Sequence, residues 1–215
     1  MGAEVCIQVF AKAPVVGACK TRLIPVLGAE AAAALQKKLL QHCLHNAIEA
    51  RIGPVQLWCA PASTHEFFGE CAARFGVTLH DQLDADLGAR MAHALAAALM
   101  EFNSAILIGS DCPALNAEHL RTAASVLRDG TPAVITPVED GGYVLIGLSK
   151  LDCSLFNDIT WSSAQVMSTT RTRLQALGWA WHELPTLWDV DRAEDYARLQ
   201  REGLLAECSA AARPA

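Results

Sequence analysis

The sequence predicts an α/β fold with a mostly parallel sheet. The first observation is that strand-like apolar runs alternate with Ala- and Leu-rich segments of helical periodicity. Strands separated by helices of this length form βαβ units. The second observation is that Gly-rich and acidic segments follow the strand-like runs. Because parallel sheets bind ligands at the carboxyl ends of their strands, we expect a binding site at that edge.

Four strands are expected in the first half of the chain. They are residues 4–11, 55–60, 77–80 and 104–109. Helices are expected at residues 29–50, 63–74 and 87–102. We expect Gly53 to close the first helix and Gly76 the second, since glycine is favoured just beyond a helix end. Ser63 and Glu66 have the spacing of a capping box, which predicts the start of the second helix.

The second half continues the alternation. Strands are expected at residues 133–136, 142–148 and 179–184, with a terminal helix at residues 192–201. Asn116 is expected to cap a helix that ends near Arg128, because asparagine is a favoured N-cap residue. Ser162 with Gln165 has the spacing of a further helix start.

Composition indicates one globular domain. The 215 residues are 52% hydrophobic and 19% charged, which is typical of a folded soluble chain. We expect a single domain over residues 1–203 and an Ala-rich tail over residues 204–215. No apolar run reaches the roughly 20 residues that span a bilayer. Residues 1–10 lack the pattern of a signal peptide, so we expect a cytoplasmic protein without a membrane span.

Net charge and cysteine usage argue against two further classes. The net charge is −6, whereas nucleic-acid binders usually carry a basic face, so we expect no nucleic-acid partner. The eight cysteines are scattered without a CxxC pair, and most lie in apolar runs. In a cytoplasmic chain this pattern predicts reduced thiols, not disulfides or a zinc site.

The stretch FAKAPVVGACKTRLIP, residues 10–25, concentrates positive charge in an acidic chain. Gly17 allows the backbone to approach a ligand, and Lys12, Lys20 and Arg22 can neutralise a di- or triphosphate. The spacing matches neither the Walker loop nor the Rossmann glycine pattern. A solvated cationic turn is the alternative. The position after a strand, facing acids that follow later strands, favours a phosphate site.

Two acidic motifs follow later strands. Asp111, in ILIGSDCPAL, ends the fourth strand, where a carboxylate is a natural ligand for a hard cation beside phosphates. Capping of the next turn is the alternative. In LWDVD, Asp189 and Asp191 point to the same side of an extended chain, so one of them could share a cation with Asp111. Here the alternative is that Asp191 or its neighbour caps the last helix.

The segment VEDGGY, residues 138–143, has two compatible interpretations. Paired glycines permit a positive φ or a close approach to a ligand, and Glu139 and Asp140 add negative charge. Asp-Gly between apolar runs is also a strong hairpin signal. The tip of such a hairpin can line a cleft, so both interpretations can hold together.

Six blocks, in this order, resemble a bacterial transferase family: KAPVVGACKTRL, DLGARM, GSDCPAL, EDGGYVLIGL, ITWSS and LWDVDRAED. The family belongs to the nucleotide-diphospho-sugar transferase superfamily, and its members are commonly called glycosyltransferases, with one branch named for arsenosugar biosynthesis. The blocks are similar, more distantly, to 2-phospholactate guanylyltransferase and molybdenum cofactor guanylyltransferase. The resemblance covers residues 5–199. It implies a GT-A type fold, a three-layer sandwich with a mostly parallel mixed sheet.

The resemblance also implies a site. A nucleotide or nucleotide-sugar donor and a small-molecule acceptor would bind beside Mg²⁺ or Mn²⁺. The nucleotide would contact Lys12, Gly17, Lys20, Thr21, Arg22, Gln82, Gly88 and Arg90. The acceptor side would comprise Asp140, Gly141, Gly142, Tyr143, Trp161 and Ser162. Asp111 and Asp191 would hold the metal, and Lys20, Arg22 and Asp111 would carry the catalysis.

The sequence departs from the family pattern at two places. Ala85 stands where a glycine is usual in the QxxGDLG block, which is expected to stiffen that loop. Arg192-Ala193 replaces a usual Thr-Pro pair before Glu194-Asp195. This second departure lies beside the predicted metal ligand Asp191 and affects the geometry expected there.

The residues and the resemblance favour different reactions. The cation-rich loop and the single Asp of SDCP favour nucleotidyl transfer, in which a phosphorylated acceptor releases pyrophosphate from a nucleoside triphosphate. The family name favours glycosyl transfer, in which a nucleoside diphosphate leaves. A non-catalytic nucleotide-binding regulator is a third hypothesis, which the predicted metal-binding acids disfavour. Asp111→Asn is expected to abolish either activity with little loss of fold.

Overall fold

The computed structural model describes residues 5–205 and centres on a seven-stranded sheet in the order β3-β2-β1-β4-β6-β5-β7. The strands are β1 (Val5–Lys12), β2 (Val55–Ala60), β3 (Thr78–Asp81), β4 (Ser104–Gly109), β5 (Ala133–Pro137), β6 (Tyr143–Leu148) and β7 (Trp181–Glu183). β6 runs antiparallel to β4 and β5, and every other pairing is parallel. The predicted mostly parallel mixed sheet is confirmed.

Helices cover both faces of the sheet. They are α1 (Ile24–Leu27), α2 (Ala29–Ala50), α3 (Glu66–Phe75), α4 (Leu87–Leu99), α5 (Ala117–Arg128), α6 (Val166–Ala176) and α7 (Ala193–Glu202). α2, α3 and α5 pack on one face, and α4 and α6 pack on the other. α7 joins a smaller apolar cluster with α2 and the chain after β7. The result is three layers, helix–sheet–helix.

The first strand shows why the sheet is apolar throughout. Ile7 and Val9 face the layer that contains α2, and Cys6 and Phe10 face the layer that contains α4. Successive side chains of a strand point to opposite faces, so a strand between two helical layers is a continuous apolar run. Gln8 interrupts this run, and its buried amide donates to the Ala94 carbonyl over 2.7 Å.

Two helix ends differ from the sequence-based expectation. α2 ends at Ala50, and the C-cap residue Arg51 adopts a left-handed conformation with φ of 53°, so Gly53 does not close the helix. Gly53 is instead a close-approach position, because a Cβ there would lie 1.8 Å from the Val5 carbonyl oxygen. α3 is capped by His65, whose side chain accepts from the Phe67 amide. The Ser63 capping box is therefore wrong, and the Ser63 amide donates to Asp81.

The start of α6 also differs. The helix begins after Gln165, whose side chain makes no capping hydrogen bond, and Ser162 lies before it with φ of 65°. The expected Ser162–Gln165 capping pair is therefore wrong. The other predicted signals hold: Asn116 accepts from two amides at the start of α5, and Gly76 ends α3 in a left-handed conformation.

Three further points concern the described part of the chain. No helix within residues 5–205 is long and apolar enough to cross a membrane. The seven cysteines described there are free thiols, and six of them are buried. The predicted tail, residues 204–215, lies outside the described residues except for Leu204 and Leu205.

Candidate functional site

Four segments meet at the carboxyl edge of the parallel strands. They are the cationic loop (residues 12–22 after β1), residues 110–113 after β4, the turn 138–142 between β5 and β6, and residues 184–192 after β7. They border a cleft of about 610 Å³ and an adjoining pocket of about 410 Å³. Both cavities are in the size range of small-molecule sites. The edge predicted for ligand binding therefore carries a cleft of suitable size.

Lys20 joins three of these segments. Its side chain is only 4% exposed, and its Nζ lies 2.9 Å from Asp111 Oδ2 and donates to the Val190 carbonyl over 2.7 Å. The Val190 amide in turn donates to the Asp111 carbonyl over 2.9 Å. The Lys20 backbone has φ of 47°, a left-handed conformation that residues other than glycine rarely adopt. This residue is thus held in one orientation, with its charge against Asp111.

Arg22 makes the second ion pair across the cleft. Its guanidinium pairs with the Asp191 carboxylate, and both side chains are about half exposed. The start of α7 does not need that carboxylate, because Asp195 accepts from the backbone amides of Asp191 and Arg192. The alternative therefore holds for its neighbour Arg192, which occupies the N-cap position of α7, and not for Asp191 itself. Its side chain faces the cationic loop instead.

The cleft wall also carries Asp189, which lines both cavities. Burial raises the pKa of this carboxyl to about 6, and the negative charges of Asp140 and Asp111 add to the rise. The carboxylates of Asp140 and Asp111 are therefore close enough to Asp189 to disfavour its negative charge. A bound cation would relieve this repulsion.

The donor set suits a hard divalent cation. Carboxylate oxygens are the ligands that Mg²⁺ prefers, and Mg²⁺ is commonly held by one or two carboxylates together with substrate phosphates. Within residues 5–205 no group of three or more His, Cys, Asp or Glu side chains could hold a metal ion by itself. A metal held by the predicted pair Asp111 and Asp191 would therefore have to share its coordination with the ligand. Each acid would first have to leave its cation partner.

The remaining predicted residues of the cationic loop divide into two groups. Lys12 and Thr21 are exposed and line the cleft. Gly17 does not line it, and no atom lies within 4 Å of a Cβ built there. Its φ of 80° is a left-handed conformation, so glycine serves the turn itself and not a close approach.

Gln82 and Arg90, which were predicted to contact the nucleoside, mainly stabilise the loop between β3 and α4 through hydrogen bonds to backbone carbonyls. The Gln82 side-chain amide donates to the Trp58 carbonyl over 2.8 Å, which ties residue 82 to the end of β2. Arg90 Nε donates to the Ala85 carbonyl over 2.6 Å, which closes the loop before α4. Both residues still line the cleft, together with Leu87. They shape this wall and leave part of their surface to a ligand.

Gly88 and Trp161 pack against each other behind the cleft wall. A Cβ at Gly88 would lie 2.4 Å from the Phe156 carbonyl oxygen and 2.9 Å from Trp161 Cζ2. Neither residue lines either cavity. Packing therefore explains why residue 88 is a glycine. Trp161, predicted for the acceptor side, also packs beneath the residues predicted for the nucleoside.

The turn between β5 and β6 is a hairpin, and its tip lines the cleft, as the two compatible interpretations of VEDGGY allowed. Gly141 has φ of 91°, and Asp140 Oδ1 accepts from the Gly142 amide over 2.8 Å. Asp140 lines both cavities. Gly141 and Gly142 line neither cavity, and a Cβ at Gly141 would lie 2.3 Å from the Ala164 carbonyl oxygen.

Tyr143 and Ser162 complete the predicted acceptor side. Both line the cleft. The Tyr143 ring meets the Trp161 ring edge-on at 6.5 Å, and burial raises the pKa of its hydroxyl. Because the Tyr143 hydroxyl is buried away from solvent, Tyr143 presents its ring to the cleft. Ser162 stands where the cleft and the adjoining pocket join.

Sequence reasoning missed two polar residues of the cleft wall, Ser110 and Gln36. Ser110 Oγ lies 3.3 Å from Asp111 Oδ1, and its place in SDCP was an available signal. Asp189 was predicted, as the alternative to Asp191, to share a cation with Asp111, and it lines both cavities. Gln36, on α2, lines the cleft from the middle of a helix, where the sequence pattern carries no signal for a site.

The fold and the cleft define a class, the nucleotide-diphospho-sugar transferase fold. A protein of Desulfovibrio desulfuricans G20, provisionally described as a nucleotide-diphospho-sugar transferase, matches with a TM-score of 0.81 at 27% identity, covering 96% of this chain and 98% of that chain. A nucleotidyl transferase from Methanothermobacter matches at 0.66 and 16% identity, over 95% and 99%. Rv0371c from Mycobacterium tuberculosis H37Rv, in complex with manganese, matches at 0.57 and 16% identity, over 92% and 98%. The superfamily resemblance is confirmed.

The particular family follows from the sequence. The profile of DUF2064, described as an uncharacterized protein conserved in bacteria, matches residues 43–163, more than half of the chain. The chain therefore belongs to the DUF2064 family. The matched region includes Asp111 and the hairpin turn but not the cationic loop or Asp191. No match was found among curated proteins.

Proposed function

We propose that this protein is a magnesium- or manganese-dependent transferase that uses a nucleotide-sugar donor and transfers the sugar to a neutral acceptor. The observation that carries the proposal is the pairing of opposite charges across the cleft: Lys20 with Asp111, and Arg22 with Asp191. A metal–diphosphate complex carries both kinds of charge. Its metal can take the two carboxylates while its phosphate oxygens take the two cations.

This exchange of partners has a consequence for binding. A free divalent cation would leave Lys20 and Arg22 without counter-charges, and a free nucleotide would leave Asp111 and Asp191 unpaired. Because Lys20 is buried, an unpaired charge there is especially unfavourable. We therefore expect the metal and the nucleotide to bind cooperatively, each raising the affinity for the other.

The chain's own residues then have separate roles. Lys20 and Arg22 hold phosphate oxygens as the bond to the donor breaks, Asp111 and Asp191 fix the metal, and the hairpin tip places the acceptor. A bound divalent cation supplies stabilisation of the negative charge that grows on the departing diphosphate. Orientation of the donor and acceptor in one cleft supplies much of the remaining rate enhancement. The manganese complex of Rv0371c is consistent with a metal in this fold.

The adjoining pocket favours glycosyl over nucleotidyl transfer. Its lining includes five acids and two arginines: Glu139, Asp140, Asp189, Asp191, Asp195, Arg22 and Arg192. Nucleotidyl transfer to a phosphorylated acceptor would bring a further anion to this pocket, which so acidic a lining would repel. A neutral hydroxyl group meets no such repulsion. Nucleotidyl transfer remains the second candidate, because three cations in one loop suit a triphosphate donor.

Binding is tested first. A thermal-shift panel of nucleoside diphosphates, triphosphates and nucleotide sugars, with and without Mg²⁺ or Mn²⁺, should show stabilisation that needs both partners. At a hundredfold excess over the dissociation constant the gain is about 2.7 kcal/mol. If no nucleotide stabilises the protein under any of these conditions, the proposal fails.

Product analysis then separates the reactions. Incubation of a stabilising nucleotide sugar with a panel of neutral acceptors should release a nucleoside diphosphate. Release of pyrophosphate from a triphosphate and a sugar phosphate would instead establish nucleotidyl transfer. Stabilisation without either product would favour a non-catalytic nucleotide-binding regulator.

A further inference from the structure

Gln36 is a buried amide in the wall of the cleft that the proposed function does not use. It lies on α2, is only 4% exposed and lines the cleft beside the cationic loop. Building on the proposed function, we infer that Gln36 is a binding residue for the donor, whose side-chain amide donates to an oxygen of the diphosphate group.

The helix geometry places this amide next to the predicted phosphate site. Cys43, on the same face of α2, has its Sγ 3.7 Å from the Gly109 carbonyl at the end of β4. Gln36 lies seven residues earlier, which is about two turns or about 10 Å along the helix. Gln36 therefore lies beyond the carboxyl end of β4, beside the loops that border the cleft. Its neighbours Leu35 and Leu39 pack with Leu23, directly after the cationic loop.

The Gln36 amide has no protein partner. Among the hydrogen bonds of residues 5–205 none involves its side chain, and neither amide atom is fully enclosed. Two other buried amides are tied to the protein: Gln8 donates to the Ala94 carbonyl over 2.7 Å, and Asn46 donates to the Leu115 carbonyl over 3.2 Å. Those two amides are structural. Gln36 keeps its hydrogen-bonding capacity and opens it to the cleft, where a ligand can use it.

The surroundings favour a phosphate oxygen as the partner. The Lys20 ammonium is committed to Asp111 and Val190, and Arg22 is paired with Asp191. The Gln36 amide is an uncommitted donor at this end of the cleft, and its two N–H groups bind an anionic oxygen without adding charge. The residues predicted for the nucleoside lie elsewhere. They precede or begin α4, which covers the opposite face of the sheet from α2.

The test measures the affinity of simple diphosphates. Isothermal titration in the presence of Mg²⁺ would use inorganic pyrophosphate and the four common nucleoside diphosphates as probes. Gln36→Leu should weaken binding by about tenfold, as expected for one lost hydrogen bond to a charged group. Gln36→Glu should weaken it by about a hundredfold, because it adds like charge. The control Gln41→Leu, on the same helix but away from both cavities, should stay within about twofold of the wild type.

The unliganded melting temperature distinguishes binding from structure. Gln36→Leu should melt at the same temperature as the wild type or higher, because it removes an unpaired amide. A Gln36→Leu variant that melts clearly lower would show a structural role and overturn the inference. So would wild-type-like affinity in that variant. If the wild type binds none of the probes, the proposed function falls as well; if it binds and the Gln36 variants bind equally, only this inference falls.

Discussion

Replacing Asp111 by asparagine removes the counter-charge of a buried ammonium. The Lys20 side chain is 4% exposed and its Nζ lies 2.9 Å from the Asp111 carboxylate, which is itself 46% exposed. At an effective dielectric constant of about 20, the gross attraction at this distance is about 6 kcal/mol. Removal of one partner from a fully buried pair typically costs about 3–5 kcal/mol.

Two features reduce that loss. Asp111 is half exposed, so solvent already screens the pair, and Lys20 keeps its hydrogen bond to the Val190 carbonyl. Asparagine also retains one side-chain oxygen as an acceptor. We therefore expect Asp111→Asn to lower the free energy of unfolding by about 2 kcal/mol. In a chain of this size that is a drop of about 4–8 °C in Tm. This replaces the sequence-based expectation of little loss of fold.

Urea titrations of four proteins form the assay: the wild type, Asp111→Asn, Lys20→Met and the double variant. Lys20→Met leaves only a half-exposed carboxylate unpaired, so it should cost about 1 kcal/mol or less. The double variant should be more stable than the sum of the single losses predicts, by about 1 kcal/mol or more. Additive losses, or an Asp111→Asn cost below about 0.5 kcal/mol, would refute the reasoning.

Three further predictions follow from the site. Burial raises the Asp189 pKa from 3.8 to about 6, so the folded state holds this proton more tightly and loses stability as the pH rises through 6. Asp189→Asn should therefore gain about 1 kcal/mol near pH 8, after allowance for partial exposure, and nothing below about pH 4, in urea titrations across that range. Gly88→Ala should lower the free energy of unfolding by about 1–3 kcal/mol, because the new Cβ would lie 2.4 Å from the Phe156 carbonyl oxygen. The control is Gly69→Ala in α3, where a Cβ meets open space. Its free energy of unfolding should be unchanged or slightly higher in the same urea titration. Arg22→Met should weaken metal–nucleotide binding by about tenfold or more in isothermal titration, with a Tm change under about 4 °C because its ion pair is exposed; equal affinity would remove it from the phosphate site.

The sheet and most helices could be read from the sequence because their signals are local and repeated. The strands at residues 55–60 and 104–109 and the helix at residues 29–50 have the bounds that periodicity predicted. The starts of α3 and α6 differ from the prediction, because several polar residues near a helix start can accept from the same amides. At α3 it is His65 that does so, while Ser63 is drawn to Asp81 on the neighbouring strand.

The segments of the site were also predictable, because loops at the carboxyl ends of parallel strands share one edge. Their pairing was not. Lys20 and Asp111 are separated by 91 positions in the chain, and which acid faces which cation depends on how the loops fold over the sheet. The same holds for Gly88, whose lack of a side chain serves a contact with Phe156 and Trp161.

The sequence determined that an α/β sheet would carry a cationic loop and several acids on one edge, because apolar periodicity and the order of strands and loops are local properties of the sequence. Contacts between distant segments decided that Lys20 is buried against Asp111, that Arg22 meets Asp191 and that Gln36 opens on the cleft. A polar residue in a helix gives no sign of whether it faces water or a ligand, since burial depends on what packs beside it. The chemistry of the site therefore follows from packing as much as from composition.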